Sequence, residues 1–404
     1  MRQRLLAPYH YLWALGSALY YGFPARKLTV IAVTGTKGKS SVSEMLYAVL
    51  RASGHKTALA GTIRFAIGED SRPNLYKMTL PGRGFIQQFL AQAVEAGCTH
   101  AVVEITSEAT LQYRHRFLAL DALIFTNLEP EHIERHGSLE NYFNAKYEIG
   151  RELERSTKRP RAIVANSESE YGRRFLRLAV EDALPYTGTD AEDADVRADG
   201  VAFTYQGTRY SLPQPGRFSL MNALAVVRTA LWLGNAPLDI KSALMQVRRI
   251  PGRAERIDAG QPFDVLVDYA HTPGSITALY EAFAQQRKIC VLGNTGGGRD
   301  TWKRPLMGKI AEHYCDEVIL TNEDPYDENP RAIVEAMAAG MQAKQPRIIM
   351  DRREAIRAAL KSAKGGDAVL ITGKGTDPFI MGARGAKQEW SDARVAREEL
   401  EKMR

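Results

Sequence analysis

Between an apolar, β-branched run and a helix-like stretch, the chain reads Thr34-Gly35-Thr36-Lys37-Gly38-Lys39-Ser40. Backbone N–H groups of such a loop, added to the positive end of a following helix, form a cradle for phosphates. Lys39 is placed to reach the β- and γ-phosphates and Ser40 to ligate Mg²⁺. The spacing departs from a standard Walker A loop, because Val33 stands where its first glycine would. A glycine-rich turn with two incidental lysines is the plainer alternative. Further along, one apolar run ends in Glu104, followed by Thr106-Ser107-Glu108, and another ends in Thr126-Asn127-Leu128 before Glu131, His132 and His136. Carboxylate and imidazole at the C-terminal ends of neighbouring parallel strands stand where α/β proteins bind ligands, and they would share a divalent cation with the phosphates. A helix-capping carboxylate and a surface histidine would need no ligand at all.

Strands must deliver these residues, and the sequence supplies them. Apolar runs at 28–33, 101–103, 123–125 and 162–164 alternate with helical patterns such as 41–50 and 84–96, which predicts a parallel sheet covered on both faces. A second series at 265–267, 289–292, 318–320, 347–350 and 368–371 predicts a second doubly wound domain. Pro251-Gly252, breaking the helical pattern of 239–248, marks the boundary. The Asp/Ala/Glu-rich stretch 189–199 reads as a solvated turn or the approach to a hairpin. The fold class is therefore α/β, with residues 1–27 a short apolar helical segment, 28–250 a P-loop-type doubly wound domain and 251–404 a Rossmann-like domain.

Composition narrows the function. The 404 residues are 45% hydrophobic and 25% charged, which excludes a mainly disordered or polytopic membrane chain. Lys and Arg total 54 against 47 Asp and Glu, a net +7, but the basic residues are interspersed with acids. That favours an anionic small ligand at least as much as nucleic acid. Three cysteines, Cys98, Cys290 and Cys315, are far apart and odd in number, which argues against a disulfide framework and fits a reducing compartment. Residues 5–23 carry no formal charge and follow Arg2 and Arg4. With Pro8, His10 and several tyrosines, and with a nucleotide motif needing cytosolic ATP close behind, the segment reads as packing on the first domain. A membrane-surface contact is the alternative, and stable insertion is not expected.

Ordered motifs recur along the chain: 33–40, Glu104-Ile105-Thr106-Ser107, 125–128 through His132 to His136-Gly137, and Tyr142-Phe143-Asn144-Ala145-Lys146. Later come Leu220-Met221-Asn222-Ala223-Leu224, 251–256, 267–273, Lys303-Arg304-Pro305 and Gly373-Lys374-Gly375. In their order and spacing these motifs resemble the Mur ligase family, in particular its branch that adds the third amino acid of the peptidoglycan stem peptide. The resemblance spans nearly everything from Leu28 onward. It implies an ATP-dependent amide ligase: a substrate carboxylate takes the γ-phosphoryl group, and an amino group then displaces phosphate from the acyl phosphate. By position, Gly35, Thr36, Lys37, Gly38, Lys39, Ser40, Ser41 and Asn127 would bind the nucleotide in the first domain. Asn222, Arg253, Asp268 and His271 would surround its adenine, ribose and phosphates. Lys39, Glu104, His132 and Lys146 would be catalytic; Ser40 and Glu104 would hold one Mg²⁺, and Glu104 with His132 the other. Lys146 matches a lysine that the family carbamylates into a metal-side anion, against the plainer reading of a helix-surface lysine. Thr79, Thr106, Ser107, Arg304, Glu323, Asp324, Tyr326 and Asp377 would contact the carboxylate acceptor or the amino acid, with Arg304 on the amino acid's carboxylate and Asp377 on its amine. The implied enzyme is cytoplasmic and monomeric, with small-molecule substrates.

Departures from the family pattern bear on substrate. Members begin with a UDP-gripping domain of about a hundred residues, whereas here the first strand is expected at Leu28. Diaminopimelate-type members read Asp-Asn-Pro-Arg where this chain reads Glu323-Asp324-Pro325-Tyr326, and tyrosine cannot make the arginine's bidentate pair with a distal carboxylate. Acids at 323, 324, 327 and 328 suit a cationic side chain, or else cap the helix from Pro330. The family's Gly-Lys-Gly-His-Glu is here Gly373-Lys374-Gly375-Thr376-Asp377, and its Ser-Ser-His is Thr106-Ser107-Glu108. Four functions stay open: a ligase on UDP-muramyl dipeptide, the same chemistry on a cyanophycin-type or other poly-amino-acid acceptor, a non-catalytic nucleotide-binding regulator, and a P-loop phosphotransferase or nucleic-acid-stimulated NTPase.

Overall fold

A computed structural model describes residues 2–76, 78–131 and 133–403, with side chains from residue 6 onward. The chain divides into two compact units. The first comprises Met1–Asp195, Val201–Pro213 and Phe218–Arg248, and the second Val196–Gly200, Gln214–Arg217 and Arg249–Arg404.

The first unit is built on eight strands: β1 (Thr29–Thr34), β2 (Thr57–Ala60), β3 (Arg64–Ile67), β4 (Asp70–Pro73), β5 (His100–Glu104), β6 (Ala122–Phe125), β7 (Ala162–Asn166) and β8 (Asp182–Tyr186). Their order is β4-β3-β2-β5-β1-β6-β7-β8. Six pair in parallel, and β3 and β4 return antiparallel at one edge. Val30, Ile31, Ala32 and Val33 of β1 are all fully buried. That is what a central parallel strand covered by helices on both faces requires, and why it reads as a continuous apolar run. Register then places the chemistry: Val33 pairs with Glu104 of β5 and Thr34 with Phe125 of β6, so the loop leaving β1 emerges between Glu104 and Thr126.

The helix α1 (Arg2–Tyr20) lays Tyr11 against Tyr113 and Phe117, with ring centroids 5.7 Å apart in each case. Leu6, Tyr9, Leu12, Trp13, Leu19 and Tyr20 face solvent. One face thus packs on the first unit as expected and the other is exposed. Among the described residues no helix is long and apolar enough to cross a membrane. The acid-rich 189–199 is more ordered than its composition implies. Strand β9 (Glu192–Val196) hydrogen-bonds along β10 (Val201–Tyr205), which pairs with β11 (Thr208–Leu212). Backbone pairing holds β9 while its side chains stay largely in water, so low β propensity is overridden.

In the second unit, β12 (Glu255–Arg256), β13 (Asp264–Asp268), β14 (Lys288–Leu292), β15 (Glu317–Leu320), β16 (Arg347–Ile348) and β17 (Ala368–Thr372) lie in the order β12-β13-β17-β14-β15-β16. All neighbours are parallel except the β12–β13 pair. Strands β18 (Phe379–Met381) and β19 (Lys387–Glu389) form a hairpin. Arg352, buried, makes a bidentate pair with Asp392 at 2.8 and 2.7 Å and donates to the carbonyls of Thr372 and Asn322, tying two helices to the end of β17 and the loop after β15.

The cysteine reading requires correction. Cys290 and Cys315 form a disulfide, with Cα atoms 6.1 Å apart, and Cys98 alone is a free, buried thiol. Distance along the chain misled: Cys290 lies in β14, and Cys315 closes the helix that leads directly into the adjacent strand β15, so the crossover brings their Cα atoms together.

Candidate active site

The loop after β1 is held by backbone geometry that only its glycines allow. Gly35 (φ 145°) runs so close to β6 that a Cβ there would lie 1.9 Å from Thr126 Oγ1, and one on Gly38 (φ 80°) would lie 2.4 Å from Asn222 Oδ1. Asn222 therefore does sit against the loop, on the helix Gly216–Trp232. Asn127 clamps the loop: its Oδ1 accepts from Lys37 N at 2.9 Å, its Nδ2 donates to Lys37 O at 3.1 Å and its carbonyl accepts from Thr36 N at 2.9 Å. Lys39 Nζ donates to the carbonyls of Gly35 (3.1 Å) and Thr36 (2.8 Å), which holds its ammonium at the loop. Ser41 follows in the first turn of α2 (Lys39–Ala52), partly buried.

Ser40 Oγ lies 3.1 and 3.2 Å from the two oxygens of Glu104, and both residues are buried. A hydroxyl and a carboxylate are the hard oxygen donors that Mg²⁺ prefers when phosphate oxygens complete its shell. The donor set therefore fits that ion shared with a nucleotide, Ser40 and Glu104 supplying the protein ligands. Among the described residues no group of three or more His, Cys, Asp and Glu forms a metal cage on its own. His132 lies outside the described residues.

Lys146 is on the helix Leu139–Glu154, started by Ser138, whose Oγ accepts from Asn141 N. Its inward stripe is Tyr142, Phe143, Lys146, Ile149, Gly150 and Leu153, so the lysine falls on the buried side of an otherwise apolar face. Its surface-helix alternative is thereby excluded: it is 1% exposed. Nζ donates to Gly35 O at 2.7 Å and stands 4.5 Å from the centre of the Tyr142 ring. Burial, helped by the nearby Lys39 charge, pushes its amine well below the usual lysine range, against the opposing pull of Glu131 and Glu104.

Thr79 is linked to Glu104 through a residue the sequence reading overlooked. Thr62 donates from both N and Oγ1 to Glu104 at 2.9 Å, and its Oγ1 is 2.7 Å from Thr79 Oγ1. Thr62 follows β2, the strand beside β5, and nothing but that adjacency would have marked it. Tyr142, whose hydroxyl is 3.3 Å from Thr36 Oγ1, and Glu129, which ion-pairs with Lys37, were likewise missed. Thr106 caps the short helix Ser107–Leu111, and Ser107 Oγ hydrogen-bonds with His136 Nε2 at 3.1 Å.

In the second unit, Asp268 at the end of β13 accepts from the N–H groups of Ala254 and Ala270, both at 2.6 Å. Burial nonetheless raises its carboxyl above the usual range. Arg253 stacks over Tyr269 (4.7 Å), and His271 Nδ1 lies 2.6 Å from Tyr269 O. Arg253, Asp268 and His271 thus share one corner with Gly252 and Gly375, which touch. The predicted amino-acid residues form another cluster, and most of its charges have partners within it. Lys374 Nζ donates to Asp324 (2.8 Å) and Asp377 (3.1 Å); burial opposes its charge, but these acids hold its ammonium above the ordinary lysine value. Arg304 pairs with Glu328 at 2.9 Å. Glu323 takes Thr295 Oγ1 at 2.7 Å on one oxygen and leaves the other, buried, without a hydrogen-bond partner, as is Arg304 Nε. Arg299, not foreseen as a site residue, holds its guanidinium 4.9 Å from the centre of the Tyr326 ring.

The Mur ligase middle domain matches residues 33–230, and the Mur ligase, glutamate ligase domain matches 252–375. A UDP-N-acetylmuramyl-tripeptide synthetase of Roseiflexus sp. (strain RS-1) is 38% identical over 95% of this chain and 81% of its own. A UDP-N-acetylmuramoyl-L-alanyl-D-glutamate--2,6-diaminopimelate ligase of Gloeobacter violaceus is also 38% identical, over 96% and 80%. A solved structure of a ligase of that name superposes with a TM-score of 0.64 at 26% identity, covering 93% of this chain and 79% of that one. Mycobacterium tuberculosis folylpolyglutamate synthase, complexed with ADP and AMPPCP, shares the fold at a TM-score of 0.73 and 18% identity, over 90% and 92%. With a nucleotide-type loop and paired oxygen donors in the first unit and relatives matched along most of its length, this chain belongs to the Mur ligase family of ATP-dependent amide-forming enzymes.

Proposed function

We propose that this ligase of peptidoglycan precursor synthesis joins an amino acid to the terminal carboxylate of a UDP-muramyl peptide, through an acyl phosphate, in the cytoplasm and as a monomer. The observation that carries the reading is the buried Ser40–Glu104 pair at the start of α2, beside Lys39 and a lysine, Lys146, whose surroundings favour its neutral form. ATP, when bound, supplies the phosphoryl group that activates the acceptor carboxylate. Lys39 and the loop N–H groups offset the charge of two anions brought together. Ser40 and Glu104 would hold Mg²⁺, with His132 assigned to the second ion. A neutral Lys146 amine is the form that adds CO₂: an N–C bond forms, a proton leaves, and the resulting carbamate is an anion on the metal side. Asn222, Arg253, Asp268 and His271 are assigned to the nucleotide.

For the amino acid, we favour a cationic side chain. Tyr326 stands at the family's arginine position, and the unpartnered Glu323 oxygen is an acceptor for a donor from the substrate. A second reading is favoured by one contact: Arg299 over Tyr326 would restore a cation for the distal carboxylate of diaminopimelate. Competition of lysine, ornithine, arginine and diaminopimelate for one acceptor, in wild type and Arg299→Ala, separates them. Preference for a diamino monoacid or arginine that survives Arg299→Ala supports the first reading. Diaminopimelate turnover that Arg299→Ala abolishes establishes the second.

A further inference from the structure

The outer face of α1 is apolar where a helix on a water-facing surface is normally polar. Leu6, Tyr9, Leu12, Trp13, Leu19 and Tyr20 recur at helical spacing and are 45% to 82% exposed, while Tyr11 faces inward on Tyr113 and Phe117. Beside this face runs a groove of about 500 Å³, lined by Tyr9, Leu12, Trp13 and Tyr20 of the helix and by Arg83 and Gln88 across from it. Its charge is one-sided. No Asp or Glu occurs before Glu44, whereas Arg2 and Arg4 belong to the start of the helix, Arg26 and Lys27 follow it in the chain, and Arg83 lines the groove.

We propose that α1 is an interfacial anchor that lays this face on an anionic lipid bilayer. Tyr and Trp with Leu on one side, and cations at the ends, are what the boundary between acyl chains and headgroups accepts. Lying flat is the mode available, since the helix does not meet the length and apolarity needed to span. The one-sided charge selects the occupant: a second copy would bring the same cations and no acid from its first 43 residues, whereas anionic headgroups are complementary. The groove opens beside Arg83 and Gly84, in the segment that follows Thr79, so the contact lies close in sequence to the residue bonded through Thr62 to Glu104.

The test is sedimentation of the full chain with phosphatidylcholine vesicles, with and without phosphatidylglycerol, at low and high salt. The bound fraction should rise about tenfold with the anionic lipid and fall back in high salt. Leu12→Glu should lose most of that binding; Leu12 is 64% exposed, so its replacement disturbs no packing. Trp13 emission should shift to the blue on the vesicles, a shift that Trp13→Phe removes while binding persists. Equal binding to neutral and anionic vesicles, or no binding and no shift, would overturn the proposal. So would a lipid-free dimer that Leu12→Glu dissociates.

Discussion

Replacing Lys146 by methionine should flatten the pH dependence of stability in a direction fixed by where the amine sits. The side chain is 1% exposed, and burial first, then Lys39, hold its amine well below the value it has in the unfolded chain, about 10.4. Between the lowered folded value and that unfolded value, the unfolded chain carries a proton at this position that the folded chain lacks. Unfolding free energy therefore rises with pH there, by about 1.4 kcal/mol per unit from this group alone, and levels off above it. Across that window wild type should therefore gain more stability with rising pH than Lys146→Met. The comparison is clean because Gly35 O, which accepts from Lys146, also accepts from Lys39 at 3.1 Å and is not orphaned. Methionine fills the same apolar stripe. Urea unfolding of both proteins in CO₂-free buffer measures the difference, and other groups titrating in both proteins cancel. Parallel curves would mean that Lys146 stays protonated when folded, and the burial argument would fail.

Three further outcomes follow from other contacts. Gly38→Ala places a Cβ 2.4 Å from Asn222 Oδ1 on a residue with φ 80°; displacing the loop by about 2 kcal/mol should cut kcat roughly thirtyfold, and unchanged turnover would detach the loop from the chemistry. Lys146→Ala should lower activity about 10- to 100-fold, with partial recovery in formate or acetate and none in chloride; a fully active variant would remove the carbamate from the account. Arg352→Ala strands Asp392 inside the second unit and should cost about 3–5 kcal/mol in unfolding measurements. Arg394→Ala, whose 3.7 Å pair with Glu398 is exposed, should be within about 0.5 kcal/mol of wild type, and comparable losses in the two would refute the burial argument.

The residues that sit at strand ends were legible because two independent patterns converge on them. Buried parallel strands read as unbroken apolar runs, and whatever polar residue ends such a run faces the ligand side; Glu104, Asn127 and the loop from Gly35 to Ser40 are found that way. Thr62 was invisible because its meaning depends on β2 lying beside β5, an adjacency that no local pattern encodes. Lys146 was singled out from its motif, but its burial became clear only from the apolar stripe it shares with Tyr142, Phe143 and Ile149. Cys290 and Cys315 show the same limit from the other side, since a βαβ crossover joins residues 25 apart. In the second unit the acids at 323, 324, 327 and 328 suggested a site for a cationic side chain, or else helix caps. The fold spends most of them on Lys374, Arg304 and backbone N–H groups, a partition that composition cannot report.

Coupling of ATP cleavage at the Gly35–Ser40 loop to amide formation is read out by phosphate release in a matrix of ATP, Mg²⁺, UDP-muramyl dipeptide and amino acid. Release is expected only when all four are present, in step with the ligated product, and is expected to be lost in Lys39→Ala and Glu104→Gln. Release that proceeds without acceptor and amino acid, or that persists undiminished in Lys39→Ala, would contradict that coupling.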